Sequence, residues 1–290
     1  VHSQYNTRCI LKIICSAFNR FFRTKKLMTQ SLRIGAVSYL NTKPLVYGLQ
    51  QRLPEAKITF DLPGRLADDL ARGELDIALI PTVETFDSPG HQILSDACIA
   101  CRGPVHSVSL VSRCASGEIR TLALDEGSRT SVALVQVLLK KRLGIRPELQ
   151  GFPIGQSLQK VEADAVLIIG DRAMHVPTDE YEEIWDLGEH WVDWTGLPFV
   201  FAMWTARAGI KQDLVEVEQA FSATRDDGLA NLENIAATHA DALGLSAQEC
   251  LTYLRDHLHF YLGDAERQSM ELFRGYVGEL FPDAKPIKSI

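Results

Sequence analysis

The chain has 290 residues, about two domains' worth at roughly 150 residues each. Its 46% hydrophobic and 23% charged residues exclude a disordered or low-complexity chain, and no run of about 18 uncharged apolar residues offers a membrane span. A net charge of −7 argues against nucleic acid as the main partner.

The charge is unevenly spread. Residues 1–27 carry Arg8, Lys12, Arg20, Arg23, Lys25 and Lys26 and no acidic side chain. A secretory signal fits poorly, because Lys12 interrupts the apolar run and no small-residue cleavage site follows it. Residues 1–30 are expected to be a basic extension outside the fold, with translation starting at Met28. Cys98-Ile-Ala-Cys101 is a CxxC with His106 and Cys114 nearby. No second CxxC follows and no helix clearly starts after Cys98, which favours a buried strand over a zinc or redox site. No metal site is therefore expected, and a reducing cytoplasm is the simplest compartment.

In chain order, Leu32–Val37 reads as a short strand ending at Ser38-Tyr39. A helix is expected from Asn41, with Pro44 in its first turn, to about Arg52. Lys57–Asp61 reads as a strand, Pro63–Arg72 as a helix, and Asp76–Pro81 as an apolar strand of the buried parallel kind. This alternation implies right-handed βαβ units. Gln92–Cys101 and Ser107–Ser112 read as strands joined through Gly103-Pro104, and Gly117 marks a possible linker. A second α/β set follows: a strand at Thr121–Asp125, a helix near Ser131–Leu143, and strands near Leu149–Gly151, at Asp164–Gly170 and ending at Asp186–Gly188. Phe199–Thr205 is strand-like again, and segments near 211–239, 247–260 and 264–281 are helical.

The fold class expected is α/β, with two mixed sheets flanked by helices in a two-lobed clamshell. Ligands bind beyond the carboxyl ends of such strands, so the cleft should lie between the lobes. Crossings near 115–120 and 195–207 place residues 31–118 and 207–290 in one lobe and 119–206 in the other.

Four clusters fall at expected strand ends or helix starts: Ser38-Tyr39-Leu40-Asn41; Pro81-Thr82-Val83-Glu84; Ser128-Arg129-Thr130-Ser131; and Thr195-Gly196-Leu197-Pro198. Ser107 and Ser109, alternating on one strand, add a fifth. Helix N-termini with hydroxyls bind carboxylates or phosphates, so Arg129 and its neighbours suit a small anion. The plainer alternative is N-capping by Ser128 or Thr130, and likewise by Asn41. His257 and His259, two apart on an expected helix, would not face one metal. Trp185, Trp191, Trp194 and Trp204 suit core packing, or a cleft wall for a ring-shaped ligand. Glycine fingerprints for nucleotides, HExxH and GxSxG are absent.

Ser38-Tyr-Leu-Asn-Thr-Lys-Pro-Leu45 after a short strand resembles the opening signature of the chorismate dehydratase family, which serves the futalosine route to menaquinone. Gly73–Pro81, Val105–Val108, Ala123–Asp125 with Ser128–Ser131, Ile169–Ala173 and Trp194–Ala202 extend the resemblance over about residues 31–282. It implies a type 2 periplasmic-binding-protein fold working in the cytoplasm as a lyase. The implied reaction removes water from chorismate to give 3-[(1-carboxyvinyl)oxy]benzoate, with no metal or organic cofactor. It also implies catalytic roles for Asn41 and Ser107, and substrate contacts from Ser38, Tyr39, Thr82, Glu84, Ser109, Ser128, Arg129, Thr130, Ser131, Gly170, Asp171, Thr195, Gly196 and Leu197. The substrate's own enolpyruvyl carboxylate would take the proton, with Glu84 as the protein alternative. A transporter's solute-binding protein and the related 1,4-dihydroxy-6-naphthoate synthase are the rival readings.

Overall fold

A computed structural model describes residues 31–282 apart from Asp87 and Gln212. The expected basic extension therefore lies outside the described residues.

In chain order the strands and helices are β1 (Arg33–Val37), α1 (Lys43–Val46), α2 (Leu49–Arg52), β2 (Lys57–Asp61), α3 (Pro63–Ala71), β3 (Ile77–Pro81), β4 (Gln92–Cys101), β5 (Val108–Ser112) and β6 (Thr121–Asp125). They continue with α4 (Arg129–Leu138), β7 (Glu148–Phe152), β8 (Ala165–Ile169), β9 (Glu183–Asp186), α5 (Leu187–Thr195), β10 (Phe199–Ala206), α6 (Val215–Ala230), α7 (Leu232–Leu243), α8 (Ala247–Thr252), β11 (His259–Tyr261) and α9 (Asp264–Leu280). No helix among the described residues is long and apolar enough to cross a membrane.

Two mixed sheets form. The first runs β11-β4-β10-β3-β1-β2 and the second β7-β6-β8-β5-β9. β1 pairs in parallel with β2 and β3, and β6 with β7 and β8, as right-handed βαβ units require. β3, Ile-Ala-Leu-Ile-Pro, is buried along its whole length, as the continuous apolar run implied. β10 lies antiparallel between β3 and β4 and returns the chain to the first sheet.

Four local expectations change. β5 pairs with β8 and β9 in the second sheet, so the chain crosses between Cys101 and Val108 rather than near 115–120. It returns between Thr195 and Phe199, so β10 belongs to the first sheet and not, as the boundary at 206 implied, to the second lobe. The helix expected over 41–52 breaks at Gly48, whose φ of +73° ends one turn and starts the next. The segment 247–260 does not stay helical: a π-helical turn at Tyr253–His257 leads into β11, so His259 sits on a strand paired with β4. Leu187–Thr195, not foreseen as helical, forms α5, capped by the Asp186 side chain accepting from Glu189 N at 3.1 Å.

The tryptophans pack in the core. Trp191 and Trp204 are fully buried, and Trp191 meets Phe199, Phe273 and Tyr276 edge-on. None of the four lines the cleft described below.

Candidate functional site

The cleft lies where the two sheets meet, at the carboxyl ends of β1, β3 and β8. It is narrow, with a cavity volume of about 40 Å³, and opens to solvent. Val37, Ile99, Val105, Val108, Ile169 and Phe201 supply apolar walls. Tyr39, Asn41, Ser107, Ser128 and Ser131 supply the polar groups.

Asn41 stands in a short 3-10 turn, Leu40–Thr42, directly after β1. It caps no helix: Tyr39 holds the cap position of that turn and Thr42 that of α1. Its Oδ1 accepts from Thr42 Oγ1 at 3.2 Å, which leaves the amide N–H groups for other partners. The turn is tied to the second sheet by Leu40 N, which donates to Asp171 Oδ1 at 3.1 Å.

Tyr39 lies flat against Gly170. A Cβ at Gly170 would come within 2.8 Å of the Tyr39 ring, and its φ of +68° excludes most other residues anyway. Burial, reinforced by Asp125, pushes the Tyr39 phenol far above its ordinary range, so it stays a neutral donor. Asp171 is also pushed up by burial, against its hydrogen bond from Leu40 and the charge of Lys43. Lys43 donates from Nζ to Ser38 O at 3.2 Å, and the Ser38 side chain is exposed.

Ser107 is held by the first crossing. Asp186 accepts from Val105 N at 2.9 and 3.0 Å and from His106 N at 2.6 Å. His106 adopts a left-handed φ of +60°, and its ring packs on His257 with centroids 3.8 Å apart. Ser107 O then accepts from Gly170 N at 2.9 Å. A strained residue fixed on both sides aims its neighbour's side chain. Ser109, expected in the same cleft, opens instead into a second cavity with His106, Asp186, Tyr253 and His257.

At α4 both readings of the serine cluster hold together. Ser128 Oγ caps the helix by accepting from Ser131 N at 3.3 Å, and both serines line the cleft. Arg129 points elsewhere. It donates to both Asp68 oxygens at 2.9 Å and to Glu84 at 3.2 Å, joining α4 of the second sheet to α3 and the turn Thr82–Thr85 of the first. Burial opposes its charge, but the two acids raise its pKa overall. Beside it, Thr130 Oγ1 accepts from Val83 N at 3.2 Å, and Thr82 Oγ1 donates to Val200 O at 2.7 Å. Thr82, Glu84, Arg129 and Thr130 thus make contacts within and between the two sheets' elements and do not line the cleft.

Thr195, Gly196 and Leu197 also lie off the cleft lining. Thr195 Oγ1 donates to Trp191 O at 2.8 Å and accepts from Leu197 N at 3.2 Å, shaping the return crossing at the end of α5. Sequence reasoning missed Tyr253, buried beside Ser107 and Asn41, because nothing in its helical pattern marks it. It also missed Asp125, which accepts from Gly127 N at 2.8 Å and pairs with Arg172.

Cys98 and Cys101 face opposite sides of β4, one in each of two core clusters. Burial pushes both thiols up, that of Cys101 to about 12. Among the described residues no group of three or more His, Cys, Asp or Glu is arranged to hold a metal.

Two sheets with flanking helices, joined by two crossings and facing across a cleft, define a protein of the type 2 periplasmic-binding-protein fold. The periplasmic aliphatic sulphonate binding protein SsuA of Escherichia coli superposes with a TM-score of 0.60 at 17% identity, covering 90% of this chain and 92% of that one. A crystallised Archaeoglobus fulgidus protein gives 0.67 at 16% identity, covering 88% and 98%.

Within that fold, residues 32–279 match the family model for menaquinone biosynthesis, and the chain belongs to that family. It is 31% identical over 264 residues to a Thermus thermophilus chorismate dehydratase, spanning 84% of this chain and 94% of that protein. It is 29% identical over 174 residues to a Campylobacter jejuni chorismate dehydratase, spanning 58% and 64%.

Proposed function

We propose that this chain is a chorismate dehydratase, a hydro-lyase that converts chorismate to 3-[(1-carboxyvinyl)oxy]benzoate for menaquinone biosynthesis. The observation that carries the reading is the convergence of Asn41, from the first sheet, and Ser107, leading into the second, on one narrow cleft. That convergence accompanies family membership and 31% identity to a relative of that activity.

The chemistry suits such a site. A proton leaves C3 and hydroxide leaves C4, and together they make water. The ring becomes aromatic, so the driving force resides in the substrate. The protein has to orient the ring, hold two carboxylates and exclude bulk water. The first-turn N–H groups of α4 with Ser128 and Ser131 suit one carboxylate. The cleft's polar groups are hydroxyls, a phenol and an amide, which donate hydrogen bonds well and abstract protons poorly. The enolpyruvyl carboxylate of the substrate is therefore the base, oriented by Asn41, while Ser107 hydrogen-bonds the departing hydroxyl. Glu84, the protein alternative, is engaged by Arg129. The free thiols Cys98, Cys101, Cys114 and Cys250 suit a reducing compartment, and we place the enzyme in the cytoplasm.

Incubation of the purified protein with chorismate, followed by mass spectrometry, tests the reading. Loss of one water with appearance of the substituted benzoate is expected. Recovery of unchanged chorismate would remove it in favour of a binding protein on the same fold.

A further inference from the structure

Tyr253 opens the π-helical turn after α8, and its side chain is 2% exposed. It does not line the catalytic cleft but borders the second cavity, beyond Ser107. Its hydroxyl neighbours the side chains of Ser107 and Asn41, yet forms no well-aligned hydrogen bond among the described residues. Burial keeps the phenol protonated far above its ordinary range, so its oxygen carries a proton to donate. A buried hydroxyl without a well-aligned partner costs stability and calls for an explanation, a catalytic role being one.

Ser107 has one proton. When its oxygen accepts from Tyr253, that proton has to point away from the phenol, towards the cleft. Such a chain of donors also polarises each successive bond. Asn41 Oδ1 keeps a second lone pair beside the bond from Thr42, but only the serine carries a hydroxyl proton that a bond from the phenol would redirect.

We propose that Tyr253 is a positioning residue whose buried hydroxyl donates to Ser107 Oγ once substrate fills the cleft, turning the serine proton onto the departing hydroxyl of the substrate. The proposal rests on the chorismate dehydratase reading above.

The test is a double-mutant cycle with Tyr253→Phe, Ser107→Ala and the double variant, each measured for kcat, KM and thermal melting, with wild type alongside. Tyr253→Phe is expected to lower kcat about 10- to 100-fold with KM within about threefold, the signature of an interaction made in the transition state. Its melting temperature should stay level or rise, because an unpartnered hydroxyl has been removed. In the Ser107→Ala background the same change should cost less than about threefold, because the group it acts through is gone. Three results would each overturn the proposal: kcat within about twofold of wild type, an equal loss in both backgrounds, or a loss accompanied by a clear fall in melting temperature. An inactive wild type would instead count against the dehydratase reading, so the two failures are distinguishable.

Discussion

Arg129 Nη2 holds both carboxylate oxygens of Asp68 at 2.9 Å, and its Nη1 reaches Glu84 at 3.2 Å. The ion pairs bridge an element of each sheet beside the cleft and so latch those two elements together. Removing one carboxylate weakens the latch without touching the cleft lining. Asp68→Asn is expected to raise KM about 3- to 10-fold with kcat little changed, as loss of uniform binding does. Steady-state kinetics check this. If Arg129 held a substrate carboxylate instead, freeing it from Asp68 would leave KM unchanged or lower it.

Asn41 caps no helix, so its replacement tests catalysis with little interference from folding. Asn41→Asp puts a negative charge beside a substrate carboxylate in a closed site, where like charges repel strongly. We expect kcat to fall about 100-fold or more with an unchanged melting temperature. Activity within a few-fold of wild type would move the site onto Ser107.

Gly170→Ala should damage both stability and activity. The left-handed backbone at Gly170 disfavours a side chain, and the new methyl would meet the Tyr39 ring at 2.8 Å. The expected loss is roughly 2–4 kcal/mol, combining backbone strain with overpacking. Chemical denaturation measures it, and an unperturbed midpoint would mean that Tyr39 can move aside.

Asp76 joins β3 to β1 and to the end of β10. It accepts from Arg33 N and Nε at 3.0 Å and from Arg207 Nε at 3.0 Å. Burial alone would raise its pKa, but the two guanidinium groups and the backbone N–H bring it down to about 2 from 3.8. Its folded pKa is depressed, so the stability it contributes is present above pH 3.8 and is lost as pH falls through about 2. Asp76→Asn is expected to cost roughly 1–1.5 kcal/mol at pH 7 after allowance for solvent screening. Denaturation series of both proteins should converge across that acid window.

Catalysis is expected to survive exhaustive chelation, because aromatisation drives the elimination and needs no Lewis acid. Turnover before and after EDTA treatment checks this. Loss restored by zinc would reopen the question of ligands around His106.

Much of this protein was legible in one dimension, for reasons that are local. β1, β3, β6 and β8 declare themselves because short apolar runs bounded by Ser, Gly or Asp have few other places to go. Tyr39, Asn41, Ser128 and Gly170 line the cleft because ligands collect at strand ends and helix starts in such sheets, and that placement depends only on where each strand stops. The Ser-Tyr-Leu-Asn stretch carried the family for the same reason. Partner choice was decided only in three dimensions. β5 is buried on both faces, so its sequence calls for a sheet without saying which, and the pairing with β8 and β9 rests on residues more than fifty positions away. Arg129 suits a substrate carboxylate and an aspartate equally well by charge, and the placement of Asp68, 61 residues earlier in the chain, settled which it meets. Tyr253 carries no signal at all in its own helical segment. Only the packing of that turn against the first crossing sets its hydroxyl beside Ser107 and Asn41, because long-range proximity is a property of the folded chain and not of any stretch of it.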